Sequence, residues 1–367
     1  MKVRFKRVRT VLILLVVLAI GAFAALRVPA VQDWLFVQGV KRGMAVHADM
    51  MPAEGHLKVL LCGTSAPPPS MVRAKACTVV MAGTHVFVVD TGPGSANRLG
   101  LWRFPFERIE GVMLTHFHSD HIGDLGEFRM QGWVAGRTAP LPLYGPTGVE
   151  ELAAGVNRTY AADAAYRAGE HELDAAAAEL VAVPFGLADE AQRVKHDASA
   201  IIYDKDGLRI TAFQVMHEPV YPAVGYRFDY KGRSVVISGD TAVSSNLVRA
   251  AKDADLLVHE GQSEAMRQTF AQALAEAGRT KLARVIGQVG NYHVTPVQAA
   301  EAANAAKVKL LVFNHMGPIA PDNWLLRQIF ARGLADARPA SGWTLGYDGM
   351  ILDLPVGSKE IARRQAG

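Results

Sequence analysis

The segment Thr115-His116-Phe117-His118-Ser119-Asp120-His121 concentrates four metal-ligating side chains within six residues. Borderline cations such as zinc take imidazole and carboxylate donors. Alternate residues of an extended segment share a side, so His116 and His118 project together toward one ion. A turn into helix near Ser119 swings Asp120 and His121 toward a second ion, at the separation of about 3.5–4 Å used by dinuclear sites. A histidine-rich polar loop is the bland alternative, and this density of ligand types argues against it.

One loop does not complete two coordination shells, so further donors must arrive from elsewhere. Three apolar runs end in suitable residues: Leu208–Val215 leads through Met216 to His217, Ser234–Gly239 leads to Asp240, and Lys309–Asn314 leads to His315. These runs read as strands. Strand ends that open into loops are where α/β folds place reactive groups. Singly, each residue reads as a structural histidine or a turn aspartate. With the first cluster they supply a two-metal set. Two divalent ions that share a water lower its pKa and neutralise charge on a phosphoryl, sulfuryl or acyl centre under attack.

Further motifs surround these ligands. They are Leu61-Cys62-Gly63-Thr64 with Pro67 and Arg73, Val89-Asp90-Thr91-Gly92, Leu143-Tyr144-Gly145-Pro146 and Gly225-Tyr226-Arg227. Ser238-Gly239-Asp240-Thr241, Val258-His259-Glu260 and Tyr292-His293-Val294-Thr295-Pro296 follow. From about Leu57 to Leu354 the chain resembles a metallo-β-lactamase-fold hydrolase of the branch that includes ribonuclease Z and the arylsulfatase-like enzymes. The resemblance implies that one metal takes His116, His118 and His217. The other takes Asp120, His121 and His315, with Asp240 bridging. β-Lactamases of this fold lack a bridging aspartate at that step, so Asp240 argues against lactam hydrolysis. By the same resemblance His293 sits beside the metals as the proton donor to the leaving group, and Glu260 orients it. Asp120, Asp240, His293 and Glu260 are then the expected catalytic set. The alternative for His293 is a mere neighbour of the helix start at Thr295-Pro296. Asp90 is expected to brace the metal loops through hydrogen bonds, without binding metal.

The elements that must position these groups alternate along the chain. Strands are expected at 57–63, 76–82 and 85–90 with a turn at Ala82-Gly83, then at 111–114, 199–203, 208–216, 224–230, 234–238, 256–258, 309–313 and 350–354. Helices are expected at Ser95–Leu101, Ser245–Ala251, Glu264–Ala277 and Val297–Ala306. β-Rich halves with flanking helices suit an α/β (α+β) four-layer αββα sandwich. Residues 149–192 are rich in alanine with helical spacing at Glu150–Val156 and Asp174–Leu180, and read as a helical cap insertion or a plain surface helix. Tyr160, Asp163 and Arg167 in it resemble a pattern of the arylsulfatase-like members. The expected organisation is an N-terminal anchor and linker at 1–35, a catalytic domain at 56–356 and a polar tail at 357–367.

The formal charge of +4 is misleading, because five of the 39 basic residues are Lys2, Arg4, Lys6, Arg7 and Arg9. Without them, 34 basic residues face 35 acidic ones, so the body lacks the general basic character of nucleic-acid binders. Those charges precede Val11–Leu26, which has no polar side chain. A basic flank followed by an apolar run is an export pattern. It reads as an uncleaved membrane anchor with the enzyme outside the cytoplasm, on the periplasmic side. Ala22-Phe23-Ala24 keeps a cleaved signal as the alternative. Cys62 and Cys77 lie on adjacent expected strands, so a disulfide and a pair of buried thiols are both open.

The functional expectation is a dinuclear hydrolase with two divalent ions, Zn2+ by donor type, that cleaves phosphate or sulfate esters. Ribonuclease Z enzymes carry a tRNA-gripping arm between the histidine matching His217 and the bridging aspartate. Here 23 positions separate them, which is room for a hairpin only. A small ester is therefore expected over nucleic acid. The alternatives are a ribonuclease Z-type tRNA 3′ endonuclease and a non-catalytic, membrane-tethered metal-binding protein. Self-association as a homodimer stays open.

Overall fold

In a computed structural model the described residues are 2–43, 50–187 and 195–366. The chain divides into two compact units at Val46. The first holds helices Lys2–Ala25 and Pro29–Gly43. Val8–Ala25 is long and apolar enough to cross a membrane, and none of it is buried. Residues 29–35 of the expected linker are helical, with Pro29 at the first helical position, where its fixed φ suits a helix start.

The second unit is built on two sheets. In chain order the strands of the first are β1 (Ala53–Gly63), β2 (Cys77–Gly83), β3 (His85–Val89), β4 (Gly111–Met113), β5 (Leu141–Gly145) and β6 (Leu180–Pro184). The second sheet takes β7 (Ser199–Lys205), β8 (Leu208–Gln214), β9 (Val224–Tyr230), β10 (Arg233–Ile237), β11 (Leu256–Gln262), β12 (Leu310–Gly317) and β13 (Trp343–Leu345). The chain then returns to the first sheet with β14 (Met350–Pro355) and β15 (Ala362–Gln365). The orders are β15-β14-β1-β2-β3-β4-β5-β6 and β13-β12-β11-β10-β9-β8-β7.

Both faces of each sheet are covered, so the strands read as nearly continuous apolar runs. Leu57, Val59 and Leu61 point between the sheets against Tyr226, Val258 and Val312. Leu60 and Cys62, one residue out of phase, pack on the outer side with Leu99, Leu125 and Phe128. Helix Pro296–Ala305 lays Ala299, Ala300 and Ala303 on the outer face of the second sheet. Its start is a capping box between Thr295 and Gln298. The layers are helix, sheet, sheet, helix, as expected. Cys62 and Cys77 form a disulfide across β1 and β2.

Three boundaries differ from expectation. Residues 357–367 are not simply a polar tail, since β15 pairs antiparallel with β14 and extends the first sheet by one strand. The helical reading of Asp174–Leu180 gives way to a short 3-10 turn at Ala175–Ala178, and Leu180 opens strand β6 beside β5. The β2–β3 turn falls at Gly83-Thr84, as Ala82 already pairs with His85. Residues 188–192 of the expected cap lie outside the described residues.

Strand direction is what gathers the site. β10, β11 and β12 are mutually parallel, and β8 joins them in direction through two antiparallel steps. Their C-terminal ends therefore share one edge. The loop after β4 is hooked to β9 there. Tyr226 Oη donates to the Leu114 carbonyl at 2.6 Å, and Val224 N donates to Thr115 O at 3.0 Å. Tyr226→Phe orphans a buried carbonyl. It is expected to lower stability by about 1–3 kcal/mol in denaturant titration, and an unchanged midpoint would show that the hook is dispensable.

Candidate metal centre

Helix formation begins at Ser119, with His118 still extended at its N-cap, so the chain bends inside the histidine cluster. His116 and His118 fall on one side of the bend, with nitrogens 2.9 Å apart. His217 leaves the end of β8 and brings Nε2 to 3.5 Å from His118 Nδ1. Asp120 and His121 fall on the other side. His315 at the end of β12 brings Nε2 to 3.0 Å from Asp120 Oδ2. Asp240 lies between the two groups. Its carboxylate is 3.3 Å from His121, 3.3 Å from His315 and 3.9 Å from both His116 and His217.

Thus all seven residues singled out from the sequence meet. His116, His118, His217 and Asp240 form one set of donor atoms within 4.8 Å of one another, and Asp120, His121 and His315 form a second. Six of the seven are buried, and His118 is the exposed one. The fit to cations rests on atoms that the chain leaves unsatisfied. His121 Nε2, Asp240 Oδ1 and His315 Nδ1 are buried with no hydrogen-bond partner among the described residues. Such groups cost free energy unless something pairs with them. Two divalent ions among these donors would pair them, so the residues fit a dinuclear metal site.

The outer partners aim the donors. Asp90 sits just past β3 at a positive φ of 60° and accepts from Thr115 N, Thr115 Oγ1 and His121 Nδ1 at 2.8–2.9 Å. With Nδ1 engaged, His121 turns Nε2 inward. Thr115 Oγ1 also lies 3.1 Å from His116 Nδ1. His217 Nδ1 donates to the Tyr292 carbonyl at 3.0 Å. The sequence gives no sign of these roles for Thr115 and the Tyr292 carbonyl. Thr115 directly precedes the cluster at a strand end, whereas a backbone carbonyl leaves no trace in residue types. Gly239 has a φ of +61°, and a Cβ there would stand 2.6 Å from Val224 O.

His293 faces the same centre. Its Nδ1 lies 2.7 Å from Glu260 Oε1, which also accepts from Thr241 N at 3.0 Å. Its ring stacks on His315 with centroids 5.9 Å apart. His293 is therefore both near a helix start and beside the ligand cluster. The expected cap supplies nothing here. Tyr160 covers the Arg129 guanidinium, Arg167 pairs with Asp163 at 3.0 Å, and none of the described residues 149–187 lines the cavities next to His118. Helix Val149–Thr159 packs on the outer face of the first sheet at β5 and β6 instead, with Asn157 hydrogen-bonded to Leu180.

Electrostatics sort the donors. Burial holds His116 far below the usual imidazole range and His217 down at about 4, so both keep a lone pair free. Burial also acts on His121, but the Asp240 and Asp90 carboxylates outweigh it and hold this imidazole well above its ordinary value. Burial pushes Asp120 up, yet the His315 hydrogen bond and the charge of His121 bring it down to about 2. For His293, burial is outweighed by the Glu260 carboxylate, which raises it.

A family model described as "Beta-lactamase superfamily domain" matches residues 85–316. Ribonuclease Z of Mycobacterium avium is 34% identical over 265 residues, covering 71% of this chain and 86% of the relative. Ribonuclease Z of Mycobacterium bovis is 32% identical over 275 residues, covering 73% and 90%. Among solved structures, the short form of human tRNase Z matches with a TM-score of 0.56 at 22% identity, over 80% of this chain and 98% of that one. The metallo-β-lactamase fold protein YhfI of Bacillus subtilis matches with a TM-score of 0.56 at 16% identity, over 82% and 100%. At these identities the two structures speak for the fold.

Metal uptake should release protons, because His121 holds one in the metal-free chain and must shed it to donate. Zinc titration of the apo protein should show affinity falling from about pH 8 to about pH 6. Affinity that is flat across this range would contradict the assignment of His121 as a ligand. Asp240→Ala should lower bound zinc from about two equivalents to about one or fewer by elemental analysis.

Proposed function

Because the chain belongs to the β-lactamase superfamily, in its ribonuclease Z branch, we propose that it hydrolyses phosphodiester bonds with a pair of divalent metal ions. The chain is a hydrolase of the metallo-β-lactamase fold. One observation carries the reading: seven donors converge from separate loops and leave three buried polar atoms without a hydrogen bond. Bound ions, zinc by the imidazole and carboxylate donor set, would supply a hydroxide nucleophile near neutral pH and draw charge from the phosphoryl oxygens.

The chain's own residues do the rest. His116, His118 and His217 would hold one ion and Asp120, His121 and His315 the other, with Asp240 within reach of both sets. Asp90, Thr115 and the Tyr292 carbonyl keep the imidazoles in the required orientation. His293 keeps its proton because the Glu260 carboxylate is beside it. It stands over His315, where a departing oxygen needs a proton. This acid role for His293 explains why Glu260 is buried with it.

RNA is the substrate class in the relatives' name, and it replaces the expectation that nucleic acid is no partner. Sulfate esters find no support among the relatives. A second reading, a small phosphodiester, is favoured by one observation: the cavity beside the metal centre is apolar. We further propose that the first unit anchors the enzyme in a membrane with the hydrolase outside the cytoplasm. The exposed apolar helix Val8–Ala25 and the Cys62–Cys77 disulfide support this.

The test is a panel of RNA, bis(p-nitrophenyl) phosphate, p-nitrophenyl sulfate, a lactone and a β-lactam, assayed with zinc content measured on the same sample. Phosphodiester hydrolysis is expected, with Asp240→Ala inactive. His293→Gln should reduce kcat by about 10²–10⁴-fold. It should also remove the fall in rate at alkaline pH, where the wild-type His293 loses its proton. Full activity in Asp240→Ala would reject the mechanism.

A further inference from the structure

A cavity of about 400 Å3 opens directly beside the ligand cluster. His118, Asp240 and His293 form its inner end. Most of its wall is hydrocarbon. Leu282, Val285, Ile286 and Val289 recur at helical spacing along Thr280–Gln288 and its continuation, so they present one stripe to the cavity. Pro67–Pro69 and Phe270 complete the enclosure. The proline run is held in place by Lys75, whose Nζ donates to the Ala66 carbonyl at 2.7 Å and to the Pro68 carbonyl.

Leu282 and Val285 remain 37% and 54% exposed, so among the described residues of the second unit part of this apolar stripe stays open. Specific small-molecule sites have this build: a concave, mainly apolar wall with a few polar groups at one end. No lysine or arginine is among the described residues that line it. A ribonucleotide strand carries a phosphate at every step and favours basic contacts, which this wall does not offer. Val285 and Tyr292 also border a neighbouring cavity of about 350 Å3 that reaches His118 and His217. A diester held across the metals therefore has room for a group on either side.

We propose that the larger cavity receives an uncharged apolar ester group, alkyl or aryl, on a phosphodiester cleaved at the metal centre. This rests on the phosphodiesterase reading above and narrows its substrate class. Hydrolysis adds the elements of water across one P–O bond, leaving a phosphomonoester and an alcohol or phenol. The apolar group leaves with whichever product carries it.

The full chain in nanodiscs, loaded with zinc, is assayed on methyl, hexyl and phenyl p-nitrophenyl phosphates, which share a leaving group. A buried methylene contributes up to about three- to fourfold in affinity. The hexyl ester is therefore expected to exceed the methyl ester in kcat/KM by at least about tenfold, mainly through KM. A phenyl ester that gains as much identifies an aryl site, and one that gains nothing identifies an alkyl site. Leu282→Asn/Val285→Asn, at part-exposed positions, should bring the hexyl-to-methyl ratio close to one. Hexylphosphonate should likewise bind at least about tenfold more tightly than methylphosphonate by calorimetry. If no diester is hydrolysed, the phosphodiesterase reading fails, and the phosphonate pair still decides the cavity. If diesters are hydrolysed at rates independent of the alkyl group, the cavity proposal is overturned and the reaction stands. It is also overturned if RNA is the better substrate and the double variant leaves its cleavage intact. A flat alkyl series, with a dimer that the double variant dissociates, would make this face an interface between copies.

Discussion

Two carboxylates and five imidazoles crowd into a space where each donor lies within about one residue's reach of the next, and water is excluded from nearly all of them. A buried ionised group is costly unless it is paired. Within the chain, Asp120 and Asp240 draw on His121 and His315 for that pairing. The pairing is incomplete, as the contacts of Asp240 with His121 and His315 stand at 3.3 Å and leave Asp240 Oδ1, His121 Nε2 and His315 Nδ1 without a hydrogen bond. Positive charge at the centre would satisfy the carboxylates and the lone pairs together. Much of the surrounding architecture serves to hold the donors in this unfavourable proximity.

The scaffold does so by direction and by stiffness. Strands β8, β10, β11 and β12 end on one edge, so residues far apart in sequence arrive side by side. Asp90 then ties the β4 loop together through three hydrogen bonds from Thr115 and His121. Positive φ at Asp90, just past β3, and at His315, near the end of β12, shows backbone held in a sparsely used conformation. Gly239 accommodates the same requirement next to Asp240, where a side chain would collide with the Val224 carbonyl.

Reaction and substrate are written in different parts of the molecule. The donor set comes from strand ends and determines how a bond is broken. The wall of the adjoining cavity, proposed to meet the substrate, comes from Pro67–Pro69 and the helical segment following β11, none of which contributes a ligand. A chain of the ribonuclease Z branch can therefore keep phosphodiester chemistry while presenting hydrocarbon where a nucleic acid would want cations. The proposed membrane anchor and the proposed apolar substrate group are physically compatible, since each on its own favours amphiphilic molecules.

The ligands were legible in the sequence because their information is local. Donor type and alternation are read within the His116–His121 segment, and each apolar run leading to His217, Asp240 or His315 lies within a few residues of the ligand it delivers. The two-sheet fold followed from the same alternation of runs together with the family motifs. Other features required the tertiary structure. Residues 362–365 look polar and tail-like, yet backbone hydrogen bonding to β14 makes them a strand, because pairing depends on an available edge and not on side chains. The alanines near 175–180 favour helix by propensity, and the open edge of β5 overrides them at Leu180. Which imidazole nitrogen faces the centre depends on a carboxylate 31 positions away and a carbonyl 75 positions away. The apolar cavity joins residues from Pro67 to Pro318. Contacts across such separations are set by strand register and layer packing, and no local pattern encodes them.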